Sequence, residues 1–502
     1  MLRTICCYGP CLGMGYVAVV AVGLLGVVEA AAQGVEESSG LQLLTAIEEV
    51  FTETIARNER SVVSIARVRK ETGGAPVIEP RFDPFRQRPG LSRANSDPSQ
   101  IDFVPSEYGT GVVVDSRGLV LTAYHVLGED CDHYVTTADR KTYAARIKGA
   151  DPRSDLAVLE IDADDLVPVR FGDASTLRKG QIVIALGNPY AISRDGQASA
   201  CWGMVSNLAR KLHGEPGDPD RPLGKPKLQH VGWLIRTDAK LHLGTSGGPL
   251  LNLRGEMIGL TTALAAIAGY EQGAGFAVPV DDTFRRVVDA LVRGREVEYG
   301  FLGVSPENLD AQEIRGGKHG ARITAVMSGT PADRFGLRQY DVVSAVNGEP
   351  IYDADGLVYR VGRLPVESVV KLTVEREGRP TSIDVELAKY PVDGKKIITT
   401  PEPPWRGLNV DYFTADKRLV GVINELASEG VIGVVVTAVE DNSPAWRAEL
   451  RTGMLISHVG GVPVQSPKQF HAAVAGRRGA VPVRVSVVPG RPEERIVEPE
   501  AG

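Results

Sequence analysis

The chain has 502 residues, a formal net charge of −7, 43% hydrophobic residues and 24% charged residues. This composition excludes a mainly disordered chain, a collagen and a polytopic membrane protein. The mild acidity argues against a chain built chiefly to bind nucleic acid.

Taken in chain order, Arg3 precedes an apolar run from Met14 to Val28, and Ala30-Ala31-Ala32 follows it. A positive start, a short apolar stretch and small residues make a secretory signal over 1–32, cleaved after Ala32. The run is short for a bilayer span, which needs about 20 residues; an uncleaved membrane anchor is the rival reading. Cleavage removes Cys6, Cys7 and Cys11 and leaves Cys131 and Cys201. Two cysteines make no disulfide framework, and both are expected as buried thiols.

Residues 41–59 read as a helix, because Leu41, Leu44, Ile47, Val50, Phe51 and Ile55 recur at helical spacing. A β-like run follows from Ser61 to Val68. Residues 70–106 then lose periodicity and hold six prolines from Pro76 to Pro105, which predicts a long mobile loop. From Tyr108 to about residue 280 short apolar runs alternate with turns, the pattern of a β-barrel or sandwich. Residues 208–229 interrupt it as a surface loop, and Asp281 to Val292 closes it as a helix.

The last two hundred residues repeat internally at a constant spacing. Pro331, Leu337 and Arg338 recur as Pro444, Leu450 and Arg451, and Val346-Asn-Gly348-Glu-Pro350 recurs as Val459-Gly-Gly461-Val-Pro463. Each copy is long enough for its own core, so these are two similar domains. The boundaries read as 33–107 for an N-terminal helix, strand and loop, 108–294 for the barrel domain, 295–392 and 405–500 for the repeats, and 393–404 for a Pro-rich linker.

The chemistry concentrates at Gly244-Thr-Ser246-Gly-Gly-Pro-Leu250. Glycines let backbone N–H groups approach a ligand, so the N–H groups of Gly244 and Ser246 can form an oxyanion hole beside the Ser246 hydroxyl. The alternative is a tight hairpin with an incidental serine. A nucleophilic serine needs a base. Of eight histidines, only His125 follows a strand-like run, ending Thr122-Ala-Tyr; His133, in a polar stretch, reads as surface. Asp155, entering the apolar run Leu156 to Leu159, is the carboxylate that would orient the imidazole. A neutral His125 is required, so activity is expected to fall below about pH 6–7.

His125, Asp155 and Ser246 stand in the order of chymotrypsin-like serine proteases. With Gly109-Thr-Gly111, Leu119 to Val126, Asp155-Leu-Ala-Val-Leu159, Leu186-Gly-Asn-Pro189, Thr237-Asp-Ala239, Gly244 to Leu250 and Gly273 to Pro279, the chain resembles the HtrA (Do-like, Deg) family over most of residues 41–500. The resemblance implies a mainly β protein, a double β-barrel protease domain followed by two α+β PDZ domains. It implies Ser246 as nucleophile, His125 as base, Asp155 as orienter, and Gly244 and Ser246 as oxyanion donors. The family usually has Asn where Thr245 stands and often Pro where Leu243 stands. Leu241 and Leu260 to Ala263, including Thr261 and Thr262, are the expected substrate pocket, apolar or small and suited to Val, Ala or Leu.

Tyr299-Gly-Phe301-Leu302-Gly303-Val304 resembles a PDZ carboxylate loop, which captures a peptide C-terminus as an added strand. Arg406-Gly-Leu-Asn409-Val410 is the expected counterpart, with Asn409 in place of glycine. No metal site, phosphate loop or cofactor motif is found. The resemblance implies an exported, ATP-independent endopeptidase of the periplasm or envelope, acting on unfolded proteins, binding hydrophobic C-termini, and assembling as a homotrimer or larger. A PDZ-based chaperone and a regulatory protease with one signalling substrate are the alternatives.

Overall fold

The computed structural model describes residues 40–70, 107–188, 197–210, 233–242, 244–262, 275–392, 394–416, 418–419, 433–486 and 492–500. The signal, the loops over 71–106 and 211–229, Leu243 and Ala263 lie outside these residues.

Residues 40–58 are helical, as their periodicity requires. Thirteen strands follow: β1 (Val62–Arg69), β2 (Glu107–Asp115), β3 (Leu119–Ala123), β4 (Cys131–Thr136), β5 (Thr142–Asp151), β6 (Leu156–Ile161), β7 (Arg170–Phe171), β8 (Ile182–Gly187), β9 (Ser199–Arg210), β10 (Leu234–Thr237), β11 (Pro249–Leu251), β12 (Glu256–Thr262) and β13 (Gly275–Pro279). Twelve of these described strands make two antiparallel barrels, and β7 adds in parallel beside β12. The first runs β5-β4-β1-β2-β3-β6 and closes β6 on β5; the second runs β11-β8-β9-β10-β13-β12 and closes β12 on β11. Closure removes the exposed sheet edges. Val62, Leu121, Leu156, Leu186, Leu251 and Leu260 belong to one apolar core that spans both barrels. The helix Asp282–Val292 is capped by Asp281, whose side chain accepts from the Phe284 N–H.

Each repeat folds around its own five-strand path and core. In the first, β14 (Gly300–Phe301) leads into β15 (Val304–Asn308), an edge strand facing the helix Ala354–Gly362. The Pro-rich segment does not run free: Ile397 and Ile398 pair with Ala150 and Gly149 on β5. Cys131 and Cys201 are unpaired and half-buried rather than buried; burial pushes the Cys201 thiol up. His133 is buried, not on the surface, because strand alternation turns it inward, where its ring Nε2 meets the Leu127 carbonyl at 2.8 Å.

Candidate active site

Two turns bring the first pair of residues together. His125 lies on a short 3-10 turn directly after β3. Asp155 sits in the turn between β5 and β6 with φ +59°, a left-handed conformation that Asp tolerates better than most residues. Three hydrogen bonds lock these turns. The Tyr124 N–H donates to the Asp155 carbonyl at 2.8 Å, the His125 N–H donates to Asp155 Oδ1 at 3.1 Å, and His125 Nδ1 meets Asp155 Oδ2 at 2.7 Å. The Asp155 side chain is fully buried, while that of His125 keeps 19% of its surface exposed. An ionised carboxylate only accepts, so Nδ1 carries the proton and Nε2 is the accepting atom.

Ser246 enters from the second barrel, on the loop between β10 and β11. Its carbonyl accepts from the Thr110 N–H at 2.9 Å. A Cβ on Gly247 would stand 2.1 Å from the Thr110 carbonyl and 3.2 Å from the Ala123 nitrogen. Only glycine allows the Ser246 loop this close to the end of β3, just before the turn that carries His125. Gly244 has φ +93°, and its would-be Cβ meets the Tyr108 ring at 2.7 Å and the Asn188 carbonyl at 2.8 Å. Position 244 therefore excludes any side chain twice over.

Thr110 ties this loop to three neighbours, a role its place between two glycines did not reveal. Its hydroxyl donates to the Gly244 carbonyl at 2.6 Å and accepts from the Asn188 N–H at 3.0 Å. Its own carbonyl accepts from the Thr122 hydroxyl at 2.7 Å. Thr110→Val keeps the shape but removes both hydrogen bonds of the hydroxyl, a cost of about 1–3 kcal/mol. A drop in kcat of about ten- to a hundredfold is expected, with Thr110→Ser restoring activity in the same assay.

Thr245, the departure beside Ser246, is accommodated locally: its hydroxyl and its N–H both donate to the His242 carbonyl, at 2.7 and 3.1 Å. The expected pocket needs correction. Leu260 packs in the apolar core. The Thr261 hydroxyl is turned to the Thr245 and Gly248 carbonyls at 2.6 and 3.1 Å, so it braces the serine loop. Leu241 covers Gly275 and packs on the second-barrel core. The Thr262 hydroxyl is buried and has no partner among the described residues.

Asp151 was not singled out from sequence, and Tyr299 was read only as the start of the PDZ carboxylate loop, yet together with Ser154 they brace the turn before Asp155. Asp151 Oδ2 accepts from the Ser154 N–H at 2.8 Å, from the Ser154 hydroxyl at 2.6 Å, and from the Tyr299 hydroxyl. Tyr299 begins the first repeat and is fully buried. Burial pushes both the Asp151 carboxyl and the Tyr299 phenol up.

In the first repeat, Phe301, Leu302, Gly303 and Val304 line a cleft shared with Leu357 and Val361 of the facing helix. Gly303 has φ +86° and packs against Thr330. In the second repeat the structural equivalent is Gly407, φ +77°, packed against Ser443. Strand register decides this: Leu408 pairs with Val439 as Val304 pairs with Val326. The expectation that Asn409 replaces the glycine is therefore corrected; Asn409 lies one residue into the strand after Leu408. The second loop is nevertheless closed on itself. The Leu408 N–H donates to the Trp405 carbonyl at 2.9 Å, and the Arg406 guanidinium donates to the carbonyls of Val497, Arg477 and Gly479.

Comparison with known proteins agrees with this architecture. Residues 109–260 match the trypsin-like peptidase domain family, and residues 300–387 and 435–486 match PDZ domain families. A probable periplasmic serine endoprotease DegP-like from Chlamydia trachomatis serovar D is 32% identical over 474 residues, covering 90% of this chain and 88% of that protein. A relative of the same description from Pseudomonas putida strain W619 is 30% identical, with 84% and 86% covered. The fold is shared with the HtrA-type protease AlgW, solved with a tripeptide, at TM-score 0.50 and 23% identity, over 70% of this chain and 99% of that one. A trypsin-like domain followed by two PDZ domains, with relatives matched along almost its whole length, makes this chain a serine-type endopeptidase of the HtrA/DegP-like family.

Proposed function

We propose that this protein is an exported endoprotease that degrades unfolded or damaged proteins of the periplasm or envelope, with its first PDZ domain binding peptide C-termini. The observation that carries the catalytic assignment is the two-point hold of Asp155 on His125, through the backbone N–H and the ring Nδ1. That hold fixes the tautomer in which Nε2 can accept a proton.

In the proposed reaction, His125 Nε2 takes the Ser246 hydroxyl proton as Ser246 Oγ attacks the scissile carbonyl. The carbonyl oxygen becomes an oxyanion facing the N–H groups of Gly244 and Ser246, each worth roughly 3 kcal/mol of barrier. Protonated His125 then donates to the leaving amine, and Asp155 stabilises the imidazolium between the two transfers. Water repeats the sequence on the acyl-enzyme.

The relatives' description as periplasmic supports the location. Among the described residues, no helix is long and apolar enough to cross a membrane. Assembly into a trimer or larger is supported by the exposed side chains of Leu41, Leu44, Ile47 and Val50 near the exposed Trp202, whose ring contacts Phe51 edge-on at 5.5 Å. Clustered exposed apolar side chains of this kind mark a surface for a protein partner. The test of the catalytic reading is cleavage of an unfolded polypeptide by the chain beside its Ser246→Ala variant.

A further inference from the structure

The loop that carries Asp155 also reaches into the first PDZ domain. Arg153, two residues before Asp155, is only 4% exposed and lines the cleft formed by Leu302, Gly303, Val304, Leu357 and Val361. Its guanidinium carbon lies 3.5 Å from the centre of the Tyr390 ring and 5.1 Å from that of Tyr299. Tyr390 in turn packs edge-on against Phe301, at the start of the carboxylate loop.

Stacking positions the cation but leaves its donors unused. Arg153 Nε is buried with no hydrogen-bond partner. Among the described residues, the guanidinium makes no ion pair or hydrogen bond at all. Asp151 is close enough to feel its charge, but its Oδ2 is occupied by Ser154 and Tyr299, and its buried Oδ1, which has no hydrogen-bond partner either, does not meet the guanidinium. A buried cation with unused donors is unfavourable unless an anion completes it.

The cleft shows where that anion would stand. β15 is the edge of its sheet, so an extended peptide can add beside it. Gly303, in the left-handed region, turns the loop at the head of that edge. Pro306 on β15 has no N–H, so the ladder it offers is short and the peptide's end group carries more of the recognition.

We propose that Arg153 is the charge partner of the terminal carboxylate of a peptide seated in the first PDZ domain, supplied to that domain by the protease domain. This rests on reading the first PDZ domain as a binder of C-termini. The ligand is a peptide with an apolar last residue and a free carboxylate. Its charge is then read by the loop that orients the general base.

The experiment uses the full chain with Ser246→Ala, to prevent cleavage, and two fluorescent peptides of one apolar sequence. One ends in a free carboxylate and the other in an amide. The acid peptide is expected to bind on the order of tenfold or more tightly than the amide, the range of a hydrogen bond to a charged group. Adding Arg153→Gln should remove most of that preference while leaving amide binding nearly unchanged, and Arg153→Lys should retain part of it. In the unsubstituted-Arg153 protein, the 15N resonance of Arg153 Nε should shift with the acid peptide and not with the amide. An unchanged acid-to-amide ratio in Arg153→Gln overturns the assignment alone. So does a resonance that ignores the acid peptide, a readout that holds even where the Gln variant does not fold. Failure of the Ser246→Ala chain to bind either peptide overturns the C-terminus reading and the assignment with it.

Discussion

Asp155→Asn is expected to lower kcat about ten-thousandfold while leaving the fold intact. The amide side chain matches the carboxylate in shape, and its oxygen can still accept from the His125 N–H, a bond of 3.1 Å in the parent. The other position is then an NH2 group facing Nδ1, where a carboxylate oxygen stood at 2.7 Å. A donor there requires Nδ1 to accept, which moves the ring proton to Nε2 and removes the base. The barrel core does not depend on this exchange, so thermal unfolding should change little. Full kinetics with both substitutions at hand, Asp155→Asn and Asp155→Glu, would separate tautomer from charge. A loss under about tenfold for Asn would mean that the 2.7 Å contact does not govern catalysis.

Lys389→Met carries the largest expected effect on stability. Lys389 closes the first PDZ domain, and its side chain is 3% exposed. Its ammonium stands 2.9 Å from Glu296, 3.1 Å from Glu298 and 2.7 Å from Asp411. These acids come from the segment leaving the protease domain and from the second PDZ domain, so one cation joins three parts of the chain. Burial alone would push Lys389 down, but Asp411, Glu296 and Glu298 hold it above its ordinary range. Removing the charge leaves Asp411 and Glu298 without this cation and Glu296 with Lys396 alone, at a cost of about 3–5 kcal/mol. The transition that contains the PDZ domains should fall by on the order of 10 °C.

The pH dependence of that difference has a definite sign. Burial would raise Glu296, but Lys389 and Lys396 hold it below its usual range. Its contribution is present above the ordinary glutamate pKa, about 4.3, and is lost as pH falls through its lowered value in the folded chain. The Lys389 contribution is complete below about 10.4 and lost only as pH rises through its raised value. Parent and Met variant should therefore differ most near neutrality and converge in acid. Calorimetric scans across pH check both the size and the sign.

The proposed reacting groups can be picked out in the sequence because their identity is local. A serine among glycines, a histidine at a strand end and an acid at the start of an apolar run each stand in a short readable segment. What holds them was not legible, because it depends on which segments meet. Thr110 gains its role only when β2, Asn188 and the serine loop converge on one hydroxyl. Arg153 looks like an ordinary loop arginine until Tyr299 and Tyr390 close over it. The pocket expectation is revised at two residues by strand alternation: neighbouring residues on β12 face opposite ways, so Leu260 enters the core while Thr261 meets the serine loop. The misplaced second carboxylate loop failed on register, which only the pairing of Leu408 with Val439 decides.

The most direct test is digestion of an unfolded model polypeptide by residues 33–502, beside the same chain with Ser246→Ala. Truncation to Ala removes one oxygen from a loop braced by Thr110 and Thr261, so the variant should fold as the parent does. The account predicts products that accumulate with the parent and none above background with the variant, whether or not a C-terminal hydrophobic peptide is added. Equal cleavage by both chains, or none by the parent even with that peptide, would contradict it.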